Sequence, residues 1–516
     1  MVTKVPVIGR LPTGPPAQPS AATISSAGNF DQRLNTRAHR QPNIDQPLPG
    51  TGMRHSSFCS ISRRWLASTP RPFFATSCYK NRRPLSTMST TSTSPYEHID
   101  DVERLDYYRP GGYHPIEIGD RLRDRYTTVH KLGSGTYSTL WLTRDEQLSK
   151  YVAIKVDTAD HSSKEIDVLS QLSARAAENA QVPGNFIPLI LDRFNLDGPN
   201  GTHPCYVTAP ARCNLAEVLE PGSGPFPLRF ARSLAAQLAM AVAYVHHLGY
   251  VHGDIHMGNI LLQLPSLDHL TVEELCEEFD PPEPEPVVRV DGQPLPPGVP
   301  PHVYPPIWLG KPGDEVTLPE AKLVLADFGT AFCPAQEPRF ESYTPLQIRP
   351  PEARFEPTTP LSYASDIWSL GCVIWGILGV RPFLDNWLFG PDDATADQVD
   401  ALGSMPDEWW ETWEGRSKRF SDNGKPKVGR EVWTFDQRFQ DAIQEPRRRR
   451  GLEVMDDPER DALFKMIRGM LVFRPGDRLS ADEVLRSDWM RTCAIPEAEK
   501  TWKRRLLYND LSPTNA

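Results

Sequence analysis

The segment VHGDIHMGNILL, at Val251–Leu262, is the most informative part of this 516-residue chain. It follows a run with helical spacing of apolar residues, Leu228–Leu248, and it ends in an apolar stretch. Asp254 and Asn259 are five positions apart. Together with His252 they match the pattern HxDxxxxN of a catalytic loop, in which the aspartate accepts or orients a hydroxyl proton and the asparagine binds magnesium. We therefore predict a catalytic loop with Asp254 as the proton acceptor and Asn259 as a metal ligand.

Two upstream motifs predict groups that bind a polyphosphate. Glycines between two predicted strands let backbone N–H groups approach phosphate oxygens without a Cβ clash, although an ordinary hairpin turn explains the pattern equally well. Lys155 ends the strand-like VAIK, and Glu165 opens a helical run ten positions later. The helical phase favours Glu165 as the partner of Lys155 over Asp160 or Asp167. The predicted glycine-rich loop comprises Leu132, Gly133, Ser134, Gly135, Thr136, Tyr137, Ser138, Thr139 and Leu140.

Downstream motifs follow in an order that strengthens the prediction. Asp327 lies in LVLADFG, 68 residues after Asn259, and is predicted to bind the magnesium that bridges two phosphates. Glu352 in RPPEAR is available to pair with Arg478. Asp366, in the predicted buried helix SDIWSLGCVIWGILG, is positioned to hold the backbone of the catalytic loop. Any one of these segments is consistent with a plain core helix, but their common order favours one enzyme class.

The predicted elements indicate a small β-rich lobe followed by a larger helical lobe. Strands are predicted at Arg125–Leu132, Leu140–Arg144 and Val152–Val156, and a further strand-like run at Phe186–Phe194. Folded sequence is expected to begin near Tyr107. The expected divisions are 107–214 for the first lobe, 215–495 for the second and 496–516 for a tail, with insertions at about 264–320 and 391–450.

Both insertions are expected to be irregular. Residues 281–319 contain thirteen prolines and carry no convincing helix or strand pattern. The second insertion ends in the basic run Arg447–Arg450, which we interpret as a solvated loop.

Charge is distributed unevenly along the chain. Residues 1–94 contain twelve of the 56 basic residues but only two of the 66 acidic ones, so the remainder has a net charge of −20. Residues 1–95 are predicted to be a disordered basic segment, and a mitochondrial presequence is the alternative. This acidic remainder of the chain is expected to repel nucleic acid and attract basic partners, although solubility alone also explains its negative charge. We expect no direct binding of nucleic acid.

Cysteine spacing and hydropathy exclude other classes. None of the eight cysteines forms a CxxC pair or belongs to a His/Cys cluster, which favours a reducing compartment and argues against structural zinc. The longest apolar stretch, Leu370–Val380, is shorter than the roughly 18 residues that a membrane span requires. No membrane span is therefore predicted.

From about Tyr126 to Met490 the chain resembles a eukaryotic protein kinase, and within that group a fungal SR-protein kinase. The lead-in YRPGGYHPIEIGD at Tyr108–Asp120, Ser138 in place of a third glycine, and the long insertion before Asp327 support the resemblance. GPDDATADQVDALGSMPDEWW, from Gly390, resembles the insert of that kinase group. The resemblance implies an α+β, bilobal protein kinase fold and a serine/threonine kinase that uses ATP and Mg²⁺. It also implies nucleotide contacts at Ala153, Ala209 and Ala211, with Thr208 behind the adenine.

The same resemblance implies a substrate class. Kinases of this family phosphorylate serines in Arg/Ser-rich segments of splicing factors, which implies a role in mRNA processing, in cytoplasm and nucleus. The mitochondrion is the alternative if the N-terminal segment is a presequence. Acids in the insert are candidates for docking a basic substrate, and a solvated polar loop is an equally good interpretation. These acids are Asp392, Asp393, Asp397 and Asp400.

Three residues depart from the family pattern. Gly253 replaces an arginine that pairs with a phosphorylated activation loop, so we expect activity without that phosphorylation. His256 replaces a lysine near the γ-phosphate and is expected to affect the catalytic rate, and Pro345 replaces a threonine of the substrate loop.

Two other functions remain open. HGDIHMGN also resembles small-molecule phosphotransferases, although that class lacks RPPE, DIWSLG and RPGDR. A pseudokinase scaffold is the other alternative. The intact set Lys155, Glu165, Asp254, Asn259 and Asp327 argues against a scaffold.

Overall fold

Six strands between Arg121 and Thr208 form an antiparallel sheet in the first lobe. The computed structural model describes residues 94–178, 186–219, 224–311, 313, 315–385, 390–429 and 432–501. The strands of this sheet are β1 (Arg121–Leu122), β2 (Tyr126–Gly135), β3 (Ser138–Asp145), β4 (Lys150–Asp157), β5 (Asp192–Gly198) and β6 (Gly201–Thr208). Their order is β1-β2-β3-β4-β6-β5, and helix α1 (Lys164–Glu178) follows β4.

Strand register puts the predicted nucleotide-binding residues in the middle of this sheet. Lys155 is paired with Leu140 on β3 and with Tyr206 on β6, while Ala153 is paired with Thr208. The three predicted strands are confirmed and are longer than expected. The strand-like run Phe186–Phe194 is only partly a strand, because β5 begins at Asp192.

Helices dominate the second lobe, so the expected α+β arrangement of two lobes is confirmed. A small sheet of β7 (Ala211–Asn214), β8 (Ile260–Gln263) and β11 (Leu323–Leu325), in the order β11-β8-β7, packs against helices of this lobe. The helices are α2 (Leu215–Val218), α3 (Leu228–His247), α4 (Val272–Phe279), α5 (Glu352–Phe355), α6 (Tyr363–Leu378), α7 (Pro391–Leu402), α8 (Asp407–Thr412), α9 (Arg416–Arg419), α10 (Phe435–Phe439), α11 (Glu445–Arg449), α12 (Asp457–Met470) and α13 (Ala481–Arg486).

Burial of apolar faces holds the second lobe together. Helix α3 packs against α6, with Leu234, Trp368 and Ile374 fully buried in one continuous core. This core positions the catalytic loop, because Val251–Leu262 begins four residues after α3 ends.

The first insertion is more ordered than the sequence indicated. Helix α4 begins at a capping box formed by Thr271 and Glu274, and two short strands, β9 (Glu285–Pro286) and β10 (His302–Val303), pair with each other. Leu275 and Ile307 pack with Val129 of β2, and the Ile307 N–H donates to the Lys131 carbonyl at 2.9 Å. The insertion therefore leaves the second lobe and packs on the first, because its scattered apolar residues find partners there.

The second insertion was predicted wrongly as irregular, since it contains the five helices α7 to α11. Arg447, assigned above to a solvated loop, is fully buried. Its guanidinium donates to the carbonyls of Phe226 at 2.9 Å and Leu378 at 2.8 Å. Leu378 is the last residue of α6, and helix ends leave carbonyls without intrahelical partners. Arg447 satisfies one of them.

The chain ends also differ from expectation. Tyr96 and Leu105 are buried, so folded structure begins before Tyr107. The proposed targeting segment lies outside the described residues, apart from Ser94 and Pro95. The segment after residue 495 remains helical to Thr501, and residues 502–516 lie outside the described part. Among the described residues, no helix has both the length and the apolarity that crossing a membrane requires.

Candidate active site

Lys155, Glu165 and Asp327 come together between the two lobes. Lys155 Nζ lies 2.5 Å from Glu165 Oε2 and 3.6 Å from Asp327 Oδ1. Glu165 is buried, and its Oε1 accepts a hydrogen bond from the Phe328 N–H at 3.0 Å. The predicted pair of Lys155 with Glu165 is confirmed. Glu165 thus joins the strand that carries Lys155 to the segment that carries Asp327.

Electrostatics keep Lys155 and Asp327 charged. Burial opposes the ammonium, but Tyr206 and Glu165 outweigh it and raise the pKa of Lys155. Burial likewise acts against the carboxylate, but Lys155 and His252 lower the pKa of Asp327 below its ordinary value. Asp327 has φ +63°, a left-handed conformation that costs a non-glycine residue about 1–3 kcal/mol. Such strain persists where the surroundings fix a functional side chain.

The catalytic loop places Asn259 against Asp254. Asn259 Nδ2 donates to the Asp254 carbonyl at 3.0 Å and approaches Asp254 Oδ2 at 3.4 Å. This leaves the amide oxygen of Asn259 as an acceptor of the type that magnesium prefers. The Ala326 N–H donates to the Asn259 carbonyl at 2.8 Å, which brings Asn259 next to Asp327. One carboxylate and one amide oxygen fit a magnesium ion whose remaining ligands are phosphates and waters.

Asp254 presents an acceptor atom that the described part of the chain leaves unused. Its Oδ1 is buried and has no hydrogen-bond partner among the described residues. Its Oδ2 lies 3.5 Å from His256 Nε2. A buried carboxylate oxygen without a partner is costly unless something outside the chain donates to it. A substrate hydroxyl is such a donor.

The structure places His256 beside Asp254, a contact that the sequence did not predict. Its Nδ1 accepts a hydrogen bond from the Gly258 N–H at 3.1 Å, so the ring also shapes the turn after it. A lysine at this position has no acceptor for that N–H. His256 therefore holds the turn as well as facing the Asp254 carboxylate.

Asp366 fixes the backbone on which Asp254 is carried. Its carboxylate accepts hydrogen bonds from the His252 N–H at 2.7 Å and the Gly253 N–H at 2.9 Å, and it lies 2.9 Å from His246 Nε2. Burial acts to raise the pKa of Asp366, but hydrogen bonds from His246 and Gly253 outweigh it and lower the pKa. The predicted role of Asp366 in holding this loop is confirmed.

The backbone conformation at position 253 favours glycine. Its φ is +80°, and a Cβ there would lie 3.2 Å from the Thr330 carbonyl. A larger residue at this position is strained in the present conformation. The departure from arginine therefore matches the local geometry.

The glycine-rich loop is the hairpin between β2 and β3. Gly135 pairs with Ser138, so Thr136 and Tyr137 form its turn, while Leu132, Ser134, Thr139 and Leu140 lie on the strands. A Cβ built on Gly133 or Gly135 meets no atom within 4 Å, which leaves the backbone open to a ligand. Open glycine backbone next to Lys155 fits a polyphosphate.

The residues predicted to contact adenine lie on β4 and around the connection between the lobes. Ala153 is buried, Thr208 ends β6, and Ala209 is exposed, while Ala211 begins β7. The structure thus places these residues at the junction of the lobes, next to the strand of Lys155.

An ion-pair network that sequence reasoning missed links α1 to the segment after Asp327. Lys164 Nζ lies 2.6 Å from Glu337 Oε2, and Arg339 Nη2 lies 2.9 Å from Glu337 Oε1. The hydrogen bonds from Lys164 and Arg339 lower the pKa of Glu337. Glu337 is one acid among many in the sequence, so no local pattern identifies it. It supplies a negative charge that pairs with the first residue of α1 without phosphorylation.

Two further predictions about ionic residues have different outcomes. The pair of Glu352 with Arg478 is confirmed, with contacts of 2.8 and 2.6 Å in a buried site. The interpretation of the docking acids as a solvated loop is wrong, because they lie on α7 and are mostly paired within the chain. Asp392 contacts Arg354 and Trp413, Asp393 contacts Arg419, and Asp397 contacts Arg438.

Comparisons with known proteins agree with this geometry. The sequence profile described as protein kinase domain matches residues 126–271, from β2 through the catalytic loop. The chain is 32% identical over 187 residues to serine/threonine-protein kinase SKY1 of Saccharomyces cerevisiae, covering 34% of this chain and 25% of the yeast protein. It is 32% identical over 170 residues to SRSF protein kinase 3 of Homo sapiens, covering 32% of this chain and 30% of the human protein.

One relative aligns over most of its length. A serine/threonine protein kinase of Aspergillus fumigatus is 26% identical over 444 residues, which cover 81% of this chain and 99% of that protein. The alignments with the yeast and human kinases, in contrast, span less than a third of those proteins. Fold and site define a protein kinase. The relatives that the chain matches are serine/threonine-protein kinases, and the human one is named an SRSF protein kinase.

Proposed function

We propose that this chain transfers the γ-phosphate of ATP to serines in Arg/Ser-rich segments of proteins that act in mRNA processing. The observation that carries the proposal is the assembled set of Lys155, Glu165, Asp327 and Asn259. Asn259 is hydrogen-bonded to Asp254, whose Oδ1 has no partner among the described residues. This set contains a phosphate-binding cation, a metal-binding pair and a proton acceptor, which are the groups that phosphoryl transfer to a hydroxyl requires.

Each group has a distinct role in the proposed reaction. Lys155 binds the α- and β-phosphates, and Glu165 holds its ammonium in place. Asn259 and Asp327 hold Mg²⁺, which when bound neutralises charge on the β- and γ-phosphates. Asp254 orients the serine hydroxyl and accepts its proton.

The substrate class rests on charge and on the relatives. Residues 95–516 have a net charge of −20, which suits a substrate rich in arginine. One relative is named an SRSF protein kinase. Since Asp392, Asp393 and Asp397 are engaged within the chain, we assign substrate attraction to the overall charge rather than to these residues.

The test is a transfer assay with the full chain and radiolabelled ATP. Acceptors are an Arg/Ser peptide, the same peptide with each serine replaced by alanine, an acidic serine peptide and an aminoglycoside. The proposal expects label in the Arg/Ser peptide alone, with a KM that rises with salt because exposed charges are screened. Equal use of both serine peptides would reject the substrate class but keep the kinase. Label in the aminoglycoside would indicate a small-molecule phosphotransferase. Binding of Mg–ATP without any transfer would indicate a scaffold.

A further inference from the structure

The lead-in segment before the first lobe contacts the glycine-rich loop directly. Tyr113 is buried, and its hydroxyl donates to the carbonyls of Gly135 at 2.7 Å and Thr136 at 3.2 Å. The Tyr113 ring packs edge-on against Tyr108, with ring centroids 5.5 Å apart. The two carbonyls belong to the turn of the hairpin that faces the nucleotide site. A side chain from outside the sheet therefore holds the tip of the phosphate-binding loop.

The two glycines before Tyr113 make this approach possible. A Cβ on Gly112 would lie 1.7 Å from the Tyr107 carbonyl oxygen, so no larger residue fits there. Gly111 has φ +85°, a conformation that glycine adopts without strain. The pair thus allows a tight turn that directs the following tyrosine toward the loop.

The same turn is bonded to the connection between β4 and α1. The Ala159 N–H donates to the Gly112 carbonyl at 3.1 Å, and the Asp160 N–H donates to the Gly111 carbonyl at 2.8 Å. The neighbouring Thr158 N–H donates to the Tyr137 carbonyl in the glycine-rich loop at 2.8 Å. This connection joins the strand of Lys155 to the helix of Glu165. Loop tip, connection and lead-in turn are therefore fixed to one another.

Asn200 anchors the turn from the opposite side. Its Nδ2 donates to the Tyr113 carbonyl and to the Gly298 carbonyl, both at 2.7 Å, and its own carbonyl accepts from the Gly111 N–H at 2.7 Å. Asn200 lies in the turn between β5 and β6, whereas Gly298 belongs to the first insertion. The lead-in turn is thus held by the sheet and by the insertion together.

We propose that Tyr113 is a positioning residue. It holds the glycine-rich loop in the position in which the backbone N–H groups of the loop bind the phosphates of ATP. This inference rests on the proposed use of ATP and adds a role that the kinase motifs do not contain. Burial raises the pKa of Tyr113 to about 12, so the phenol keeps the proton that it donates. The GGY sequence in the lead-in then has a function in nucleotide binding, although it lies outside the ATP site.

Loss of the hydroxyl is expected to weaken nucleotide binding more than it slows the chemical step. A neutral hydrogen bond of this type contributes to stability an amount that corresponds to about a fivefold change in an equilibrium constant. Because the loop binds the phosphates before and during transfer, the loss appears mainly in KM for ATP rather than in kcat. Amides in the loop also exchange faster once its tip is released.

The experiment compares Tyr113→Phe with Tyr304→Phe in the full chain. Tyr304 is the matched control, because its buried ring carries a hydroxyl that donates at 2.9 Å to Glu117, which is not a residue of the loop. The measurements are the Kd for the magnesium complex of a non-hydrolysable ATP analogue, hydrogen exchange over residues 133–139, and KM and kcat. The proposal expects Tyr113→Phe to raise Kd and KM about fivefold and to speed exchange, while Tyr304→Phe leaves all of them unchanged.

A second variant helps to distinguish the loss of loop positioning from a general folding defect. Asn200→Ala removes the anchor of Tyr113 but keeps the phenol, and it is expected to shift Kd and loop exchange in the same direction by a smaller factor. Unchanged Kd and exchange in Tyr113→Phe, or a lowered Tm as its only effect, would overturn the proposal. Kd and exchange do not require phosphoryl transfer, so they decide the role of Tyr113 even if the wild-type chain phosphorylates no substrate.

Discussion

Replacing Asp366 with asparagine is expected to damage the catalytic loop from a distance. In the wild-type chain its carboxylate accepts two backbone hydrogen bonds, from His252 and Gly253, and contacts His246, all in a buried site. An asparagine keeps one acceptor oxygen. Its NH₂ group faces the backbone N–H that the second carboxylate oxygen accepts from in the wild type. One charge-assisted bond is lost, and two donors face each other without an acceptor.

The expected loss of unfolding free energy is about 2–4 kcal/mol, because buried hydrogen bonds to a charged group contribute about 1.5–3 kcal/mol each. Since the released backbone carries Asp254, we also expect kcat to fall about tenfold, which corresponds to about 1.4 kcal/mol. Urea denaturation measures the first quantity and a steady-state transfer assay the second.

The neighbouring pair of His247 with Asp482 provides a matched control. Its contact of 3.1 Å is exposed, so Asp482→Asn is expected to change stability by less than about 0.5 kcal/mol and to leave kcat unchanged. If Asp366→Asn behaved like this control, the backbone of the catalytic loop would not depend on Asp366.

The difference in stability between the wild type and Asp366→Asn is also expected to depend on pH. The pKa of Asp366 is lowered in the folded chain, so its stabilisation is complete above the ordinary value of 3.8 and is lost as the pH falls through the folded-state pKa. The asparagine variant cannot show this loss. Its difference in stability from the wild type should therefore shrink in acid, and a difference that stayed constant would contradict the assignment.

Further predictions concern the nucleotide and the activation segment. Lys155→Met is expected to abolish detectable transfer while Asp327, Asn259 and the fold remain, and near-normal turnover at saturating Mg–ATP would reject the assignment of Lys155. Phosphatase treatment is expected to leave the rate of the purified chain unchanged, because Glu337 already supplies the negative charge. Glu337→Gln should lower kcat by about two- to fivefold, and more weakly at high salt, since the contact with Lys164 is partly exposed. A large drop after phosphatase treatment, with no effect of Glu337→Gln, would reverse this account.

Local patterns made much of the site predictable from the sequence. The strands around Lys155 follow from strand-like runs separated by glycine-rich and polar turns, and Glu165 follows from the phase of the helical run after Lys155. Asp254 and Asn259 match a catalytic-loop pattern and Asp327 lies in a DFG sequence downstream, so the motifs and their order indicated the chemistry before any contact was known.

Residues whose roles depend on remote partners escaped the same reasoning. Arg447 looks like its neighbours in a basic run, but its burial is determined by a carbonyl at the end of α6. Glu337 is distinguished only by its contacts with Lys164 and Arg339. Isolated apolar residues of the first insertion, such as Val287 and Val303, carry no periodicity and acquire partners only in the folded chain. Tertiary contacts, rather than composition, determine these features.

The most direct test of the central claim is Asp254→Asn, measured as phosphate transfer to an Arg/Ser peptide together with Mg–ATP affinity. Asparagine keeps the size of the side chain but cannot accept the hydroxyl proton. Transfer is expected to fall by at least about 10²-fold, the contribution typical of a positioned proton acceptor, while Mg–ATP affinity changes less than about twofold. Turnover close to that of the wild type would contradict the account, because it would remove Asp254 from the reaction.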